Sequence, residues 1–211
     1  MREAVPETGV NAQYFAADPR VPSAPRELHW RDGEREWVFL SDRGVFSKDR
    51  IDPGTRLLID TVALPHAARF ADWGCGYGVV GIRLAARDAT ARGVLVDVNR
   101  RAVFLAAENA RRNGVANVSA VVGDGLSGFA AKKVLGAIVS NPPIRAGRTV
   151  LRQMLAESHA RLQPHGQLWL VARTQQGARS LARDMEQLVG PVETVSRKSG
   201  YRVLRATRCE T

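Results

Sequence analysis

The sequence predicts an α/β fold: a mostly parallel sheet covered by helices on both faces, finished by an antiparallel hairpin and preceded by a small β-ribbon. Three observations carry this expectation. Short apolar runs alternate with amphipathic helical segments between residues 69 and 189, the pattern of repeated βα units whose strands are buried on both sides. Gly74, Gly76 and Gly78 fall at the first strand-to-helix turn, where sheets of this kind bind ligands. The final stretch, PVETVSRKSGYRVLRATR, departs from the pattern with two β-rich runs on either side of Ser199-Gly200, a hairpin signal.

Each element can be justified in chain order. Residues 1–25 contain Pro6, Pro19, Pro22 and Pro25 with little periodicity and read as an arm. In RELHWRDGEREWVFLS, Asp32-Gly33 separates two alternating runs, which predicts the ribbon. Residues 1–50 are therefore expected to form an N-terminal extension, and residues 51–211 the main domain. IDPGTRLLIDTVAL opens a helix, with Asp52 as N-cap, Pro53 at the first position and Leu57, Leu58 and Val62 facing inward. Strands are expected at residues 69–71, 93–97, 118–122, 134–140 and 167–172, and helices at 79–87, 100–113, 149–161 and 178–189. Asn99 is placed to cap the second of these helices, with Val103, Ala106, Ala107 and Ala110 on its inner face.

Composition narrows the function classes. A chain of 211 residues, 45% of them hydrophobic, suits one core with a modest extension. Lys and Arg number 31 against 21 Asp and Glu, so the formal charge is 31 − 21 = +10, an excess that favours a polyanionic partner. Cys75 and Cys209 lie far apart and neither belongs to a CxxC or Cys/His array, so no disulfide framework and no metal site are expected. No apolar run approaches the roughly 18 residues of a spanning helix, and the start, MREAVP, carries no apolar leader. A cytoplasmic protein with no membrane partner is the expectation.

The glycine loop lies in RFADWGCGYGVVGIRLA. Glycines permit positive φ and let a ligand approach the backbone and the helix start, but dinucleotide-binding proteins share this feature. Asp72 separates the cofactors: a carboxylate at the lip of the turn repels a pyrophosphate and attracts a ligand bearing an ammonium and a sulfonium. That ligand is S-adenosylmethionine. Asp97, nineteen positions beyond Gly78, can accept both hydroxyls of a ribose, and Asp124 in VVGDGLSG is placed to meet an adenine amino group. A salt bridge or a helix cap would also account for Asp72, and an ordinary turn for Asp124.

Ser140-Asn141-Pro142-Pro143 ends the apolar run 134–139 on the same sheet edge. An exocyclic amine on a nucleobase is a poor nucleophile, because its lone pair is delocalised into the ring. The side-chain oxygen of Asn141 and the carbonyl of Pro142 can accept its two hydrogens, and the prolines stiffen both acceptors.

DWGCGYGVVGI, VDVNRRAVFLAAENARRN, VSNPPIRAG and the upstream GVFSKDRIDPGTRLL together resemble the methyltransferase small family, class I enzymes similar to small-subunit ribosomal RNA guanine-N2 methyltransferases. The resemblance runs from about Tyr14 to Arg205. It implies a seven-stranded Rossmann-like sheet, S-adenosylmethionine as cofactor, and ribosomal RNA or the small ribosomal subunit as partner. It implies cofactor contacts from Asp72, Gly74, Cys75, Gly76, Gly78, Asp97, Val98, Asp124 and Asn141, with Phe46, Ser47 and Thr55 in the segment over the cofactor pocket. Asn141, Pro142, Pro143 and Ile144 would hold the target amine. Two residues depart from the family pattern: Ile144 stands where an aromatic usually stacks on the flipped base, and Trp73 where a small aliphatic residue is usual. Arg145 and Arg148 beside the clamp, Lys132 and Lys133, and the tail residues Arg197, Lys198, Arg202 and Arg205 are the candidate phosphate contacts. Adenine N6, a protein glutamine amide, or a relative that binds RNA without chemistry are the alternatives. An NAD-dependent oxidoreductase is disfavoured by Asp72.

Overall fold

The computed structural model describes residues 17, 19, 21–126, 128 and 134–210. Strands β1 (Arg26–Asp32) and β2 (Arg35–Ser41) form the antiparallel ribbon, paired from Arg26 with Ser41 to Asp32 with Arg35. The main chain then runs through α1 (Pro53–Thr61), β3 (Arg69–Trp73), α2 (Val79–Ala85), β4 (Arg92–Asp97), α3 (Arg100–Arg112), β5 (Val118–Val122) and β6 (Leu135–Ser140). It continues through α4 (Arg148–Arg161), β7 (Leu162–Arg173), α5 (Ala178–Leu188), β8 (Val192–Lys198) and β9 (Tyr201–Thr207). Seven strands make one sheet in the order β5-β4-β3-β6-β7-β9-β8. Only β9 runs against its neighbours β7 and β8, so the final hairpin is inserted with its second strand innermost.

Alternation along the central strands divides the core into two layers. Phe70, Ala137, Val139, Trp169 and Val171 face the side covered by α1, α2, α3 and the ribbon. Ala71, Ile138, Leu168 and Leu170 face α4 and α5. The chain leaves β3 toward β4 and β5, then returns to β6 on the other side of β3. This reversal sends the chain from β3 into α2 on one face and from β6 into α4 on the other, and opens a crevice between the carboxyl ends of the two strands.

The ribbon is held to the body by polar and aromatic contacts. Asn109 on α3 and Asn113, which caps its C-terminus, exchange hydrogen bonds with the backbone of Leu40 and Val38, at 2.6 to 3.2 Å. Two side-chain amides thus stand in for a third strand beside β2. The buried Arg83 guanidinium lies 4.0 Å from the Trp37 ring and 5.1 Å from that of Trp30, and pairs with Asp32.

Several boundaries differ from the sequence expectation. Strand β3 continues through Asp72 and Trp73, which pair with Leu95 and Val96, because backbone pairing does not need the apolar pattern that stops at Ala71. Strand β7 begins at Leu162, opposite Leu135 across a register shift, where Pro164 and Gly166 had hidden the pairing. Helix α2 ends at Ala85, two residues early. On α3, Val103, Ala106 and Ala110 are buried as expected but Ala107 is exposed, and Ala102, Leu105 and Asn109 complete the inner face. Among the described residues no helix is long and apolar enough to cross a membrane.

Candidate active site

The crevice holds a cavity of about 520 Å³, a size ordinary for small-molecule sites. Its wall includes Phe46, Ser47, Thr55, Asp72, Trp73, Gly74, Cys75, Gly76, Asp97, Val98, Asp124, Asn141, Pro142 and Pro143, so residues spread over nearly a hundred positions of sequence converge on one space. Gly78 lies beneath the loop as N-cap of α2. Ile144 is half-buried against the α4 side of the core. Lys132 and Lys133 lie outside the described residues, as does the side chain of Arg145.

The glycine loop leaves β3 with φ of +71° at Gly74 and +54° at Gly76, where an added Cβ would meet nothing within 4 Å. Side chains there would be strained and would project into the cavity. The loop is anchored from behind, since the N–H groups of Gly74 and Cys75 donate to the Val96 carbonyl at 2.8 and 3.0 Å. Cys75 is buried, and burial pushes its thiol pKa well up, so it stands in the cavity wall as a neutral thiol.

Asp72 is placed differently from a carboxylate on the lip. It is 2% exposed, and its Oδ2 accepts from the Gly81 N–H at 2.8 Å, so it caps the first turn of α2 while lining the cavity. Burial raises its pKa from the ordinary 3.8 to about 7; the Gly81 N–H opposes the rise and the Asp97 charge adds to it. Asp97 is also raised by burial, against the pull of the Asn99, Gly76 and Val98 N–H groups. Its Oδ2 accepts from Gly76 at 2.8 Å and its Oδ1 from Asn99 at 2.9 Å, which locks it across from the glycine loop.

Two carboxylates in one low-dielectric cavity favour a ligand that brings positive charge and disfavour a pyrophosphate. S-adenosylmethionine fits this donor set: cations for Asp72, a ribose for Asp97, and a glycine cradle that admits its amino-acid moiety to the backbone. The segment above is pinned by Asn99, whose Nδ2 donates to the Gly44 carbonyl at 2.8 Å while its Oδ1 caps α3 through Arg101 and Ala102. This places Phe46, 47% exposed, on the cavity wall.

The clamp segment explains its two prolines. Pro143 has φ −74° and ψ 76°, the centre of an inverse γ-turn, and the Pro142 carbonyl accepts the Ile144 N–H at 2.8 Å. The Pro143 ring holds the φ that this turn needs, and also keeps Pro142 extended. One lone pair of the Pro142 carbonyl is thus already used, and one remains. Asn141 donates from Nδ2 to Asp52 Oδ2 at 3.3 Å and to Thr55 Oγ1 at 3.1 Å, which leaves Oδ1 as the atom that can accept from a ligand.

The sequence pattern of the methyltransferase small domain matches residues 36–205. The chain belongs to the methyltransferase small domain family. The match begins inside β2 and leaves β1 outside it. YbxB of Bacillus subtilis (strain 168), an uncharacterized protein, is 37% identical over 202 residues, covering 94% of this chain and 100% of YbxB. Ribosomal RNA small subunit methyltransferase C of Hahella chejuensis is 36% identical over 171 residues, covering 78% of this chain and 48% of that enzyme. The T. thermophilus 16S rRNA N2 G1207 methyltransferase (RsmC), solved in complex with AdoMet and guanosine, superposes with a TM-score of 0.78 at 26% identity, covering 90% of this chain and 52% of that one. The chain thus spans about half the length of both named ribosomal RNA methyltransferases.

The basic residues divide. Arg148 binds Asp184 in a bidentate pair at 2.9 and 3.0 Å, reinforced by Arg152 at 2.6 Å, so its guanidinium is committed to α5. Arg205 pairs with Glu193 and lies over Trp169, away from the clamp. Arg197 and Lys198 are exposed at the tip of the β8–β9 hairpin. That tip shares the sheet edge of Asn141, because β9 starts there with Tyr201. Asp52, Tyr201 and Arg173 had no functional signal in the sequence beyond the Asp52 cap; they enter the site through contacts that only folding creates.

Proposed function

We propose that this chain is an S-adenosylmethionine-dependent methyltransferase acting on an exocyclic amine of ribosomal RNA, with guanine N2 as the target. One observation carries the reading: the Asn141 amide nitrogen is bonded to Asp52 and Thr55 and both Asn141 and Pro142 line the cavity that holds Asp72 and Asp97, which leaves the Asn141 oxygen and one lone pair of the Pro142 carbonyl as acceptors for a ligand. S-adenosylmethionine supplies an electrophilic methyl group on a sulfonium.

The residues of the chain supply the rest. Asp72 and Asp97 hold the donor, the first against its positive groups and the second against its ribose. Gly74, Gly76 and Val98 shape the wall, and Asp124 meets the adenine edge. Asn141 Oδ1 and the Pro142 carbonyl accept the two hydrogens of the target amine and turn its lone pair toward the methyl carbon. Bound there, the cofactor would supply the methyl group, and the amine held by these two acceptors would give up its surplus proton to solvent. The guanine must be single-stranded or flipped from its stack to reach this depth. Arg197 and Lys198 lie where the flanking phosphates would run.

Transfer of labelled methyl groups tests the reading on small subunits, large subunits, free ribosomal RNA and release factor. The expected product is N2-methylguanosine in RNA. Label recovered as N6-methyladenosine or as methylglutamine, or no transfer to any of the four, would overturn it.

A further inference from the structure

Asn141 sits at one end of a hydrogen-bonded chain that crosses from the inserted hairpin to the clamp. Arg173 Nε, at the end of β7, donates to the Tyr201 hydroxyl at 2.9 Å, and its guanidinium lies 4.9 Å from the Tyr201 ring. The Tyr201 hydroxyl donates to Asp52 Oδ1 at 3.2 Å. Asp52 Oδ2 accepts both the Thr55 N–H, at 3.1 Å, and Asn141 Nδ2. The Tyr201 ring is 8% exposed and packs so closely on α1 that a Cβ at Gly54 would fall 2.6 Å from it.

This arrangement answers a question the clamp raises. A carboxamide can turn over and present either its oxygen or its nitrogen, and a donor facing the target amine would repel it. An acceptor-only carboxylate beside Nδ2 makes the turned form unfavourable, because two oxygens would then face each other. Asp52 could relax away from that contact, but its other oxygen is fixed by Tyr201, and Tyr201 is fixed by Arg173.

We propose that Asp52 and Tyr201 are positioning residues for methyl transfer: they set the side-chain amide of Asn141 so that its oxygen, and not its nitrogen, meets the target amine. The inference rests on the clamp reading of Asn141 given above. It also assigns a task to the antiparallel insertion of β9, which brings Tyr201 to the sheet edge beside α1.

Two conservative variants test it. Asp52→Ser keeps an N-cap on α1 but is too short to hold Asn141. Tyr201→Phe keeps the ring against Gly54 and removes the tether. Each is expected to lower kcat about tenfold, the scale of one charge-assisted hydrogen bond, with S-adenosylmethionine affinity and the KM for RNA within about twofold of wild type.

The deciding measurement is a double-mutant cycle with Asn141→Ala. If Asp52 acts through Asn141, then Asp52→Ser has no further effect on kcat once Asn141 is Ala. Multiplying effects would show that Asp52 supports the fold instead, and would overturn the inference, as would wild-type kcat in Asp52→Ser or Tyr201→Phe while Asn141→Ala transfers methyl groups measurably but at least about a hundredfold more slowly. Unchanged transfer by Asn141→Ala would refute the clamp reading itself, and this inference with it.

Discussion

Asp72 gives the chain a stability cost that cofactor binding relieves. Its folded pKa, about 7 against an ordinary 3.8, means that the folded carboxyl holds its proton where the unfolded one has released it. The folded state therefore binds more protons between about pH 4 and 7, and the ligand-free protein loses stability as pH rises through that window. At 1.36 kcal/mol per unit, a rise of roughly three units amounts to about 4 kcal/mol above pH 7. Asp97, raised in the same direction, adds to the trend.

A ligand that places positive charge against Asp72 requires its ionised form, so binding below pH 7 must expel the proton. The apparent affinity for S-adenosylmethionine should then fall about tenfold from pH 8 to pH 6. Asp72→Asn removes the larger part of both effects: the ligand-free variant melts higher than wild type at pH 8, while cofactor binding is weaker and depends less on pH, with the remainder due to Asp97. Calorimetric titration at pH 6, 7 and 8, in buffers of different ionisation enthalpy, counts the protons released, and thermal melts over the same range follow ligand-free stability. Equal affinity at pH 6 and 8 with no proton released, together with a melting temperature that does not fall as pH rises, would refute the reasoning.

Four further sets of substitutions have checkable outcomes. Gly81→Ala would put a Cβ 1.9 Å from Leu95 Cδ2, a side chain that is fully buried; chemical denaturation should show a loss on the order of 1–3 kcal/mol, and unchanged stability would contradict so close an approach of α2 to β4. Ile144→Phe tests the stacking role that the family resemblance implies for this position: if the added ring stacks on the target base, worth roughly 1–3 kcal/mol, the KM for RNA falls with cofactor affinity unchanged, and an unchanged KM would rule that role out. Replacing Arg197 and Lys198 by Ala should reduce the salt dependence of RNA binding by about one unit of slope per residue, measured by fluorescence anisotropy against salt; Arg148→Ala, by breaking the pair with Asp184, should lower the melting temperature instead.

The clamp shows how far local sequence reaches. Asn141-Pro142-Pro143 could be recognised because proline geometry is a property of the chain itself, and the γ-turn at Pro143 depends on its own ring. Asn99 was legible as a cap for the same reason, since its partners lie two and three residues away. The sequence placed Asp72 too near the solvent, because its depth depends on how closely α2 crosses the sheet, which Gly81 and Leu95 decide together. Arg148 was legible as a cation and illegible as a paired one, for Asp184 lies thirty-six residues away on another helix.

Alternation of apolar runs, the glycine turn and the proline pair determined a covered parallel sheet with a binding edge, since periodicity and backbone restriction act over a few residues and survive in any linear reading. Folding alone decided the depth of Asp72, the neutralisation of Arg148, and the meeting of Asp52 with Asn141 and Tyr201. Those depend on strand order and on helices closing over one edge, and the distances that set a carboxyl's proton or an amide's orientation exist only after chain segments as far apart as residues 52 and 201 have been brought into contact.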